Sequence, residues 1–438
     1  MAQFRTDTSR YLPNCNTIFE VVMLSDPYGN RIGPANPSGT AVDAFGRARV
    51  STPLTLFDSS HRYRDNGLWS TSNTAGTSYA FNQNEGLVNL NVKTGADQEV
   101  VRETIKVFSY QPGKSLQVMN TFVMNPPKTG LRQRIGYFGA NNGIYLEQSN
   151  SDIYFVERSW NTGALVETRV RQSSWNIDTL LGNVNSSPSH RTLDLTKAQI
   201  LFSDIEWLGV GTVRCGFVID GQLIHCHSFH HANYLTSTYI STGSLPVRYE
   251  IKNTAATATN STLKQICTTV ISEGGYELRG SQQSIETAIG APRDLTTAGT
   301  YYPVISLRLK ATPNRLDAIA ILTALSILGI TNNANYNWKV VTGGTTTGGS
   351  WVTAGADSAI EYNISGTSFA GGRAMASGFL NGSNQGSTPV DILKEALFKF
   401  QLERNGLTST PFELTLTAAA DTNGADIYAS MDWEEISR

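Results

Sequence analysis

Charge is scarce in this chain. Asp, Glu, Lys and Arg make up 16% of its 438 residues, against about 25% in an average soluble domain. Acidic and basic residues nearly cancel, 36 against 34, and no long basic run appears. That argues against duplex nucleic acid as a partner, which needs many phosphate-neutralising side chains. It argues equally against electrostatic membrane binding and membrane insertion. Long hydrophobic runs are missing too. The most apolar segment, Leu316 to Ile330, carries Asp317, Thr323 and Ser326 and falls short of the ~20 residues that cross a bilayer. The opening residues, Met1-Ala2-Gln3-Phe4-Arg5, lack the apolar stretch of a secretory signal, so synthesis in a cytoplasm is expected. Cys15, Cys215, Cys226 and Cys267 do not make a disulfide framework by count.

Thr, Ser, Asn and Gly fill the place of the missing charges. Such a surface suits faces that neighbours cover in an assembly. A buried unpaired charge is costly, whereas a hydroxyl or amide is easily satisfied. At this length more than one domain is expected, because single cores stop growing near 250–300 residues.

Residues 1–95 are interrupted by Pro13, Pro27, Gly29, Gly33, Pro34, Pro37 and Gly39 and predict an extended segment that docks on a partner. From 96 to 280 the chain predicts an antiparallel β-sandwich. Strand-like runs at Val100–Tyr110, Ser115–Met124, Arg132–Phe138, Gly143–Glu147, Asp152–Arg158 and Ala164–Gln172 are separated by short turns. Residues 281–300 are small and polar and read as a linker. Residues 301–438 read as a second β-rich domain, with Leu316–Leu328 assigned to a strand and Asp391–Leu402 to a helix. Asp220-Gly221 favours a two-residue hairpin turn. Counting outward from it sets Cys215 opposite Cys226, as two buried free thiols in a reducing compartment.

Chemistry-bearing groups are few. His225, His227, His230 and His231 cluster within seven residues, and two histidines at i and i+2 of a strand share a face, as metal ligands can. No carboxylate beside them would orient the rings, and no metal or cofactor is expected. Asp204 and Glu206 also share a strand face. Their stretch is similar to the Glu-x-Asp-x-Glu strand of a retaining glycosidase family with a jelly-roll fold, but Phe202 stands at the position of the nucleophile. That likeness implies a jelly-roll-like sandwich and removes the covalent step. No Gly-x-Ser-x-Gly elbow and no phosphate-binding Gly-x-x-x-x-Gly-Lys loop is present. Trp160, Trp175, Tyr234, Tyr239 and Trp351 lie in or beside turns, where aromatic faces make contacts.

One further set of segments carries a resemblance. Ala44 to Ser59, with His61-Arg62-Tyr63-Arg64 and Gly67-Leu68-Trp69, resembles a stretch of virion structural proteins of tailed phages, many of them marine. The likeness continues through Tyr110–Lys114, Arg134–Phe138, Trp207–Gly211 and His230–Asn233 and ends near Ser272–Tyr276. It implies a non-enzymatic virion protein, part of a fibre, knob, collar or baseplate appendage or a capsid decoration. The partners it implies are other virion proteins and further copies of the chain, as a trimer. The alternative is a tail protein that binds or cleaves carbohydrate on the host surface. Within the first segment Arg47, Arg49, Arg62 and Arg64 alternate, so each pair can present two guanidinium groups on one face as an assembly interface. The competing reading pairs them with Asp58 and Asp65.

Overall fold

The computed structural model describes residues 52–183, 185–382, 388–391 and 399–437. The expectation of a mainly β protein holds: among the described residues no α-helix forms, and every sheet pairing is antiparallel apart from one isolated bridge. Among the described residues no helix is long and apolar enough to cross a membrane.

Two sandwiches follow one another. In the first, one sheet orders strands β13 (Gln222–Phe229), β12 (Val213–Ile219), β11 (Gln199–Ile205), β6 (Leu116–Val123), β15 (Ser261–Ser272), β4 (Leu87–Val92) and β3 (Ser78–Asn82), and β1 (Leu54–Ser60) pairs with β15. The facing sheet orders β10 (Val166–Arg171), β9 (Asp152–Ser159), β8 (Gly143–Ser149), β7 (Leu131–Phe138), β14 (Val247–Asn253), β5 (Glu99–Thr104) and β2 (Trp69–Asn73). Alternation drives the packing: Leu131, Ile135 and Tyr137 of β7 meet Phe122, Leu201 and Phe217 in one core, all within 2% of complete burial. The Tyr249 hydroxyl crosses between the sheets to Thr268 Oγ1 at 2.9 Å.

The second sandwich stacks β28 (Ala425–Ser437), β19 (Ile319–Gly329) and their neighbours against β18 (Tyr302–Leu309), β27 (Glu413–Ala420), β20 (Asn335–Thr347) and the edge strand β23 (Ser368–Asn381). Its core centres on Trp433, Met431, Leu416 and Tyr336.

Three expectations change. The boundary near residue 95 falls inside the first sandwich, because β1 to β4 are integral strands and Val88, Leu90 and Val92 are fully buried. Residues before 52 lie outside the described part of the chain. The expected linker is partly strand: β16 (Ser281–Glu286) and β17 (Arg293–Leu295) both pair with β28. The expected helix over Asp391–Leu402 is not continuous with its flanks. Thr388–Asp391 is a strand paired with β19, residues 392–398 lie outside the described residues, and Gln401 bridges Ile321.

The hairpin turn forms at Asp220-Gly221 with Ile219 opposite Gln222, as expected. The register then slips. A β-bulge leaves Cys226 as the extra residue, so Cys215 pairs with His227 and Gly216 with His225. Glycine is needed there, since a Cβ at Gly216 would lie 2.0 Å from the Ile224 carbonyl oxygen. Cys215 and Cys226 are buried free thiols, and burial pushes the Cys215 thiol up to about 12.

The sandwiches are clasped by residues 399–405. The Arg404 backbone N–H donates to the Ile105 carbonyl at 2.9 Å, and its guanidinium reaches Glu103 Oε1 and the Thr104 carbonyl at 2.8 Å each. Gln401 Nε2 donates to the Val107 carbonyl at 2.7 Å. Val107 packs with Ile319 and Ile321 of the second sandwich in a small shared core.

Candidate functional site

The described parts of the segments that carry the resemblance are scattered in sequence and approach one another in space. Leu54 of β1 pairs with Ser272, where β15 ends. Glu273 donates its N–H to the Ser115 carbonyl at 2.9 Å, and a Cβ on Gly274 would meet the Lys114 side chain at 2.8 Å. Phe57 lies between Trp69 and Phe108, with ring centroids 6.0 and 4.9 Å away. Tyr110 meets Trp207 edge-on at 6.1 Å. Tyr137 donates its hydroxyl to the Phe108 carbonyl at 2.8 Å. His231 bonds to the Gly211 carbonyl through Nδ1 and to Glu157 through Nε2, the latter at 2.7 Å.

Tyr110, Lys114 and Trp207 among these residues line an open cleft of about 650 Å³ where the two sandwiches meet. Tyr110, Lys114, Trp207, Ser244, Glu277 and Arg279 are among its lining residues. Burial, and then the charge of Glu206, push the Tyr110 phenol up to about 12, so it is a neutral donor at every physiological pH. Among the described lining residues Glu277 is the one carboxylate, and it pairs with Arg279. A hydrolytic pair of carboxylates needs two.

Asp204 and Glu206 are not in this lining. Both are buried, and the Glu206 carboxyl packs so closely on Gly211 that a Cβ there would lie 2.5 Å from it. Phe202 is buried with its ring against Gly216.

The histidine cluster disperses. His225 Nε2 lies 3.0 Å from Ser228 Oγ, and His227 Nδ1 accepts the Asn176 N–H at 3.3 Å. Burial, then His225 and His230, lower His227 to about 4. His231 stacks on Tyr239 at 3.9 Å. Among the described residues no group of three His, Cys, Asp or Glu side chains is placed to hold a metal ion.

Of the expected interface arginines, Arg47 and Arg49 lie outside the described residues. Arg62 and Arg64 are exposed, and Arg62 covers the Tyr63 ring at 5.1 Å. Asp65 is taken instead by Arg102, at 2.5 Å. Of the turn aromatics, Trp175 is buried against Phe155 and Tyr239 against His231, and Trp351 carries Arg308 at 4.0 Å. Trp160 and Tyr234 stay open to solvent.

A charged lattice escaped the sequence reading. On the outer face of the seven-stranded sheet Arg134 reaches Glu147 at 2.6 Å, Glu167 at 3.4 Å and Glu250 at 3.5 Å, while Arg132 reaches Glu250 at 2.8 Å. Arg158 covers Tyr145 at 5.1 Å and Phe138 at 5.5 Å. Burial works against the Arg134 charge, but Glu250, Tyr145 and Glu147 outweigh it and hold the guanidinium above its ordinary range. The signal was present: Arg132/Arg134, Arg248/Glu250 and Glu167/Arg169 sit at i and i+2 among apolar residues. Its charges are consumed by one another.

No protein-family model and no curated protein matches the chain. Solved structures similar to it include the carbohydrate recognition domain of Emp47p, at 10% identity over 51% of this chain and 98% of that one, with a TM-score of 0.32. A protein of unknown function from Shewanella oneidensis MR-1 is 11% identical over 54% of this chain and 93% of that one, with a TM-score of 0.32. A legume lectin-like domain from Entamoeba histolytica is 7% identical over 52% of this chain and 99% of that one, with a TM-score of 0.30. Likeness at this level carries no argument about what the chain binds.

Proposed function

We propose that this protein is a non-enzymatic structural component of a tailed-phage particle. It works as a rigid pair of sandwiches that joins other virion proteins and copies of itself. The observation that supports this reading is the convergence of the resembling segments on one end of the first sandwich. There they spend their side chains on packing and hydrogen bonds, and the cleft beside them holds one carboxylate, already paired with arginine. The sparse charge of the whole chain fits the same role, since assembled faces must lose their water.

A second reading, recognition of a host-surface glycan, is favoured by the exposed rings of Trp160 and Tyr234. It differs from the first in what a sugar chain would experience. Purified protein incubated with host polysaccharide is expected to release no new reducing ends. Cleavage that disappears in Asp204→Asn or Glu206→Gln would overturn the non-enzymatic assignment.

A further inference from the structure

Lys114 is a cation without a counter-ion. Lys106, Lys252 and Lys264 meet Glu403, Glu99 and Glu85, whereas among the described residues Lys114 meets no carboxylate. It is half-buried in the wall of the cleft between the sandwiches. Its stem lies against Gly274, where a Cβ would come within 2.8 Å of Lys114 Cγ. Glu277 and Arg279, the other charged groups of the lining, pair with each other. The Lys114 charge is therefore the one left over. A partly desolvated cation without a partner is unfavourable, and an anion brought to it relieves that cost.

The walls are held in place before any ligand arrives. The Lys114 N–H donates to the Gln111 carbonyl at 3.1 Å and closes the turn they share. Gln111 clamps the facing segment with both ends of its amide: Oε1 accepts the Glu277 N–H at 3.1 Å, and Nε2 donates to the Glu277 carbonyl. On another side of the cleft, Asn142 Oδ1 accepts the Ser241 N–H at 3.1 Å, and the Gly243 carbonyl accepts the Tyr137 hydroxyl at 2.9 Å. Trp207 is fixed by its Nε1, which donates to the Ile240 carbonyl at 3.1 Å, and it packs closely on Gly243. A preformed site spares the ordering cost of binding.

We infer that this cleft binds an acidic saccharide, with Lys114 meeting the sugar's carboxylate. The inference rests on the glycan-recognition reading above and gives it a site and a class of sugar; a structural part of a particle can carry such a site. Three features select the ligand. The leftover charge calls for an anion. Ser109, Ser241, Thr242 and Ser244 offer hydroxyls, the groups that sugar hydroxyls pair with, and Tyr110 and Trp207 add ring surface. Aliphatic lining is limited to Pro112 and Ile436, too little to seat the apolar anchors of a peptide. One unpaired cation is also too few for a nucleic acid backbone. With Glu277 as the one carboxylate of the described lining, the saccharide is held and not cleaved.

The test is isothermal titration calorimetry of the full chain with tetragalacturonic and tetramannuronic acids, their carboxyl-reduced neutral counterparts, and tetraglutamate. At least one acidic saccharide should bind, and its neutral counterpart should bind on the order of 10-fold more weakly. Lys114→Met keeps the stem and removes the charge. It should weaken binding of the acidic saccharide on the order of 30-fold, with the circular dichroism spectrum retained. Should that variant misfold, Gly274→Ala, which displaces the Lys114 stem, should weaken binding as well. Trp160→Ala with Tyr234→Ala, outside the cleft lining, should leave the affinity unchanged. Saccharide binding that survives Lys114→Met, or that is lost in the Trp160 and Tyr234 variant, would overturn the cleft as the site while leaving the glycan reading standing. Failure of every saccharide to bind would overturn both. Tetraglutamate binding more tightly than either acidic saccharide would overturn the sugar and assign the cleft to an acidic segment of another protein.

Discussion

Replacing Arg404 by Ala should cost about 3 kcal/mol, the lower end for breaking a buried ion pair, and should split thermal unfolding into two transitions. Arg404 is 2% exposed. It is the one side chain that holds Glu103 and the Thr104 carbonyl of the first sandwich and Asp317 of the second, the last at 2.9 Å. Glu103 would keep its other partner, Arg248, whose Nε lies 2.9 Å away, so the carboxylate would not be stranded. What would be lost is the guanidinium tie between sandwiches, leaving the Arg404 backbone, Gln401 and the core of Val107, Ile319 and Ile321 to hold the junction. Arg404→Lys should recover little, because an ammonium cannot reproduce the planar fork that meets these acceptors. Differential scanning calorimetry reads both effects: two resolved endotherms are expected for the Ala variant and one for the unchanged protein. A single endotherm at an unchanged midpoint would mean that the clasp is not a coupling element.

Acid should destabilise the fold well above the pH at which carboxylates protonate. His61 and His227 are both buried and both lowered to about 4. For His61 the cause is burial, then the neighbouring Arg102 charge, partly opposed by Asp65. Its ring nitrogens make no hydrogen bond, so only the Asp65 carboxylate, 3.9 Å away, partly compensates a proton there. The unfolded chain protonates these rings near pH 6.5. The folded state resists until about pH 4. Their contribution is therefore intact above the unfolded value and is lost as pH falls from about 6.5 towards 4. Each ring removes up to about 1.4 kcal/mol per pH unit in that window. Urea midpoints measured from pH 7 to pH 4.5 should fall steeply, and His61→Leu should flatten the decline. An equal slope in the variant would show that His61 does not titrate with unfolding.

The strands of the first sandwich were legible because runs of β-branched and aromatic residues are bounded by short turn signals, and β6 to β10 lie within a few residues of their expected limits. Where both faces of a strand are polar the signal fades. Ser281–Glu286 reads as a linker because an edge strand needs only its backbone to pair with β28. The same holds for Ser78–Asn82 at the far edge of its sheet. At Asp220-Gly221 local chemistry set the turn, but the register beyond it was decided by the Gly216 backbone approaching Ile224, a tertiary constraint that counting cannot see. The loops of the first sandwich were legible only in part. Trp160 stood out as a turn aromatic, whereas the approach of its loop to Thr238 depends on an Asn161 contact that spans 77 residues of sequence. The clasp was invisible for the same reason: Arg404 and Glu103 are 301 residues apart by their numbers, and no periodicity links them.

The central claim is that this chain is a building part of a particle. The most direct measurement is quantitative mass spectrometry of purified virions from cells that express it. The account predicts the intact chain in the particles at a fixed, multiple copy number, retained through a salt wash. Absence from washed particles, with the chain left in the host lysate, would contradict it.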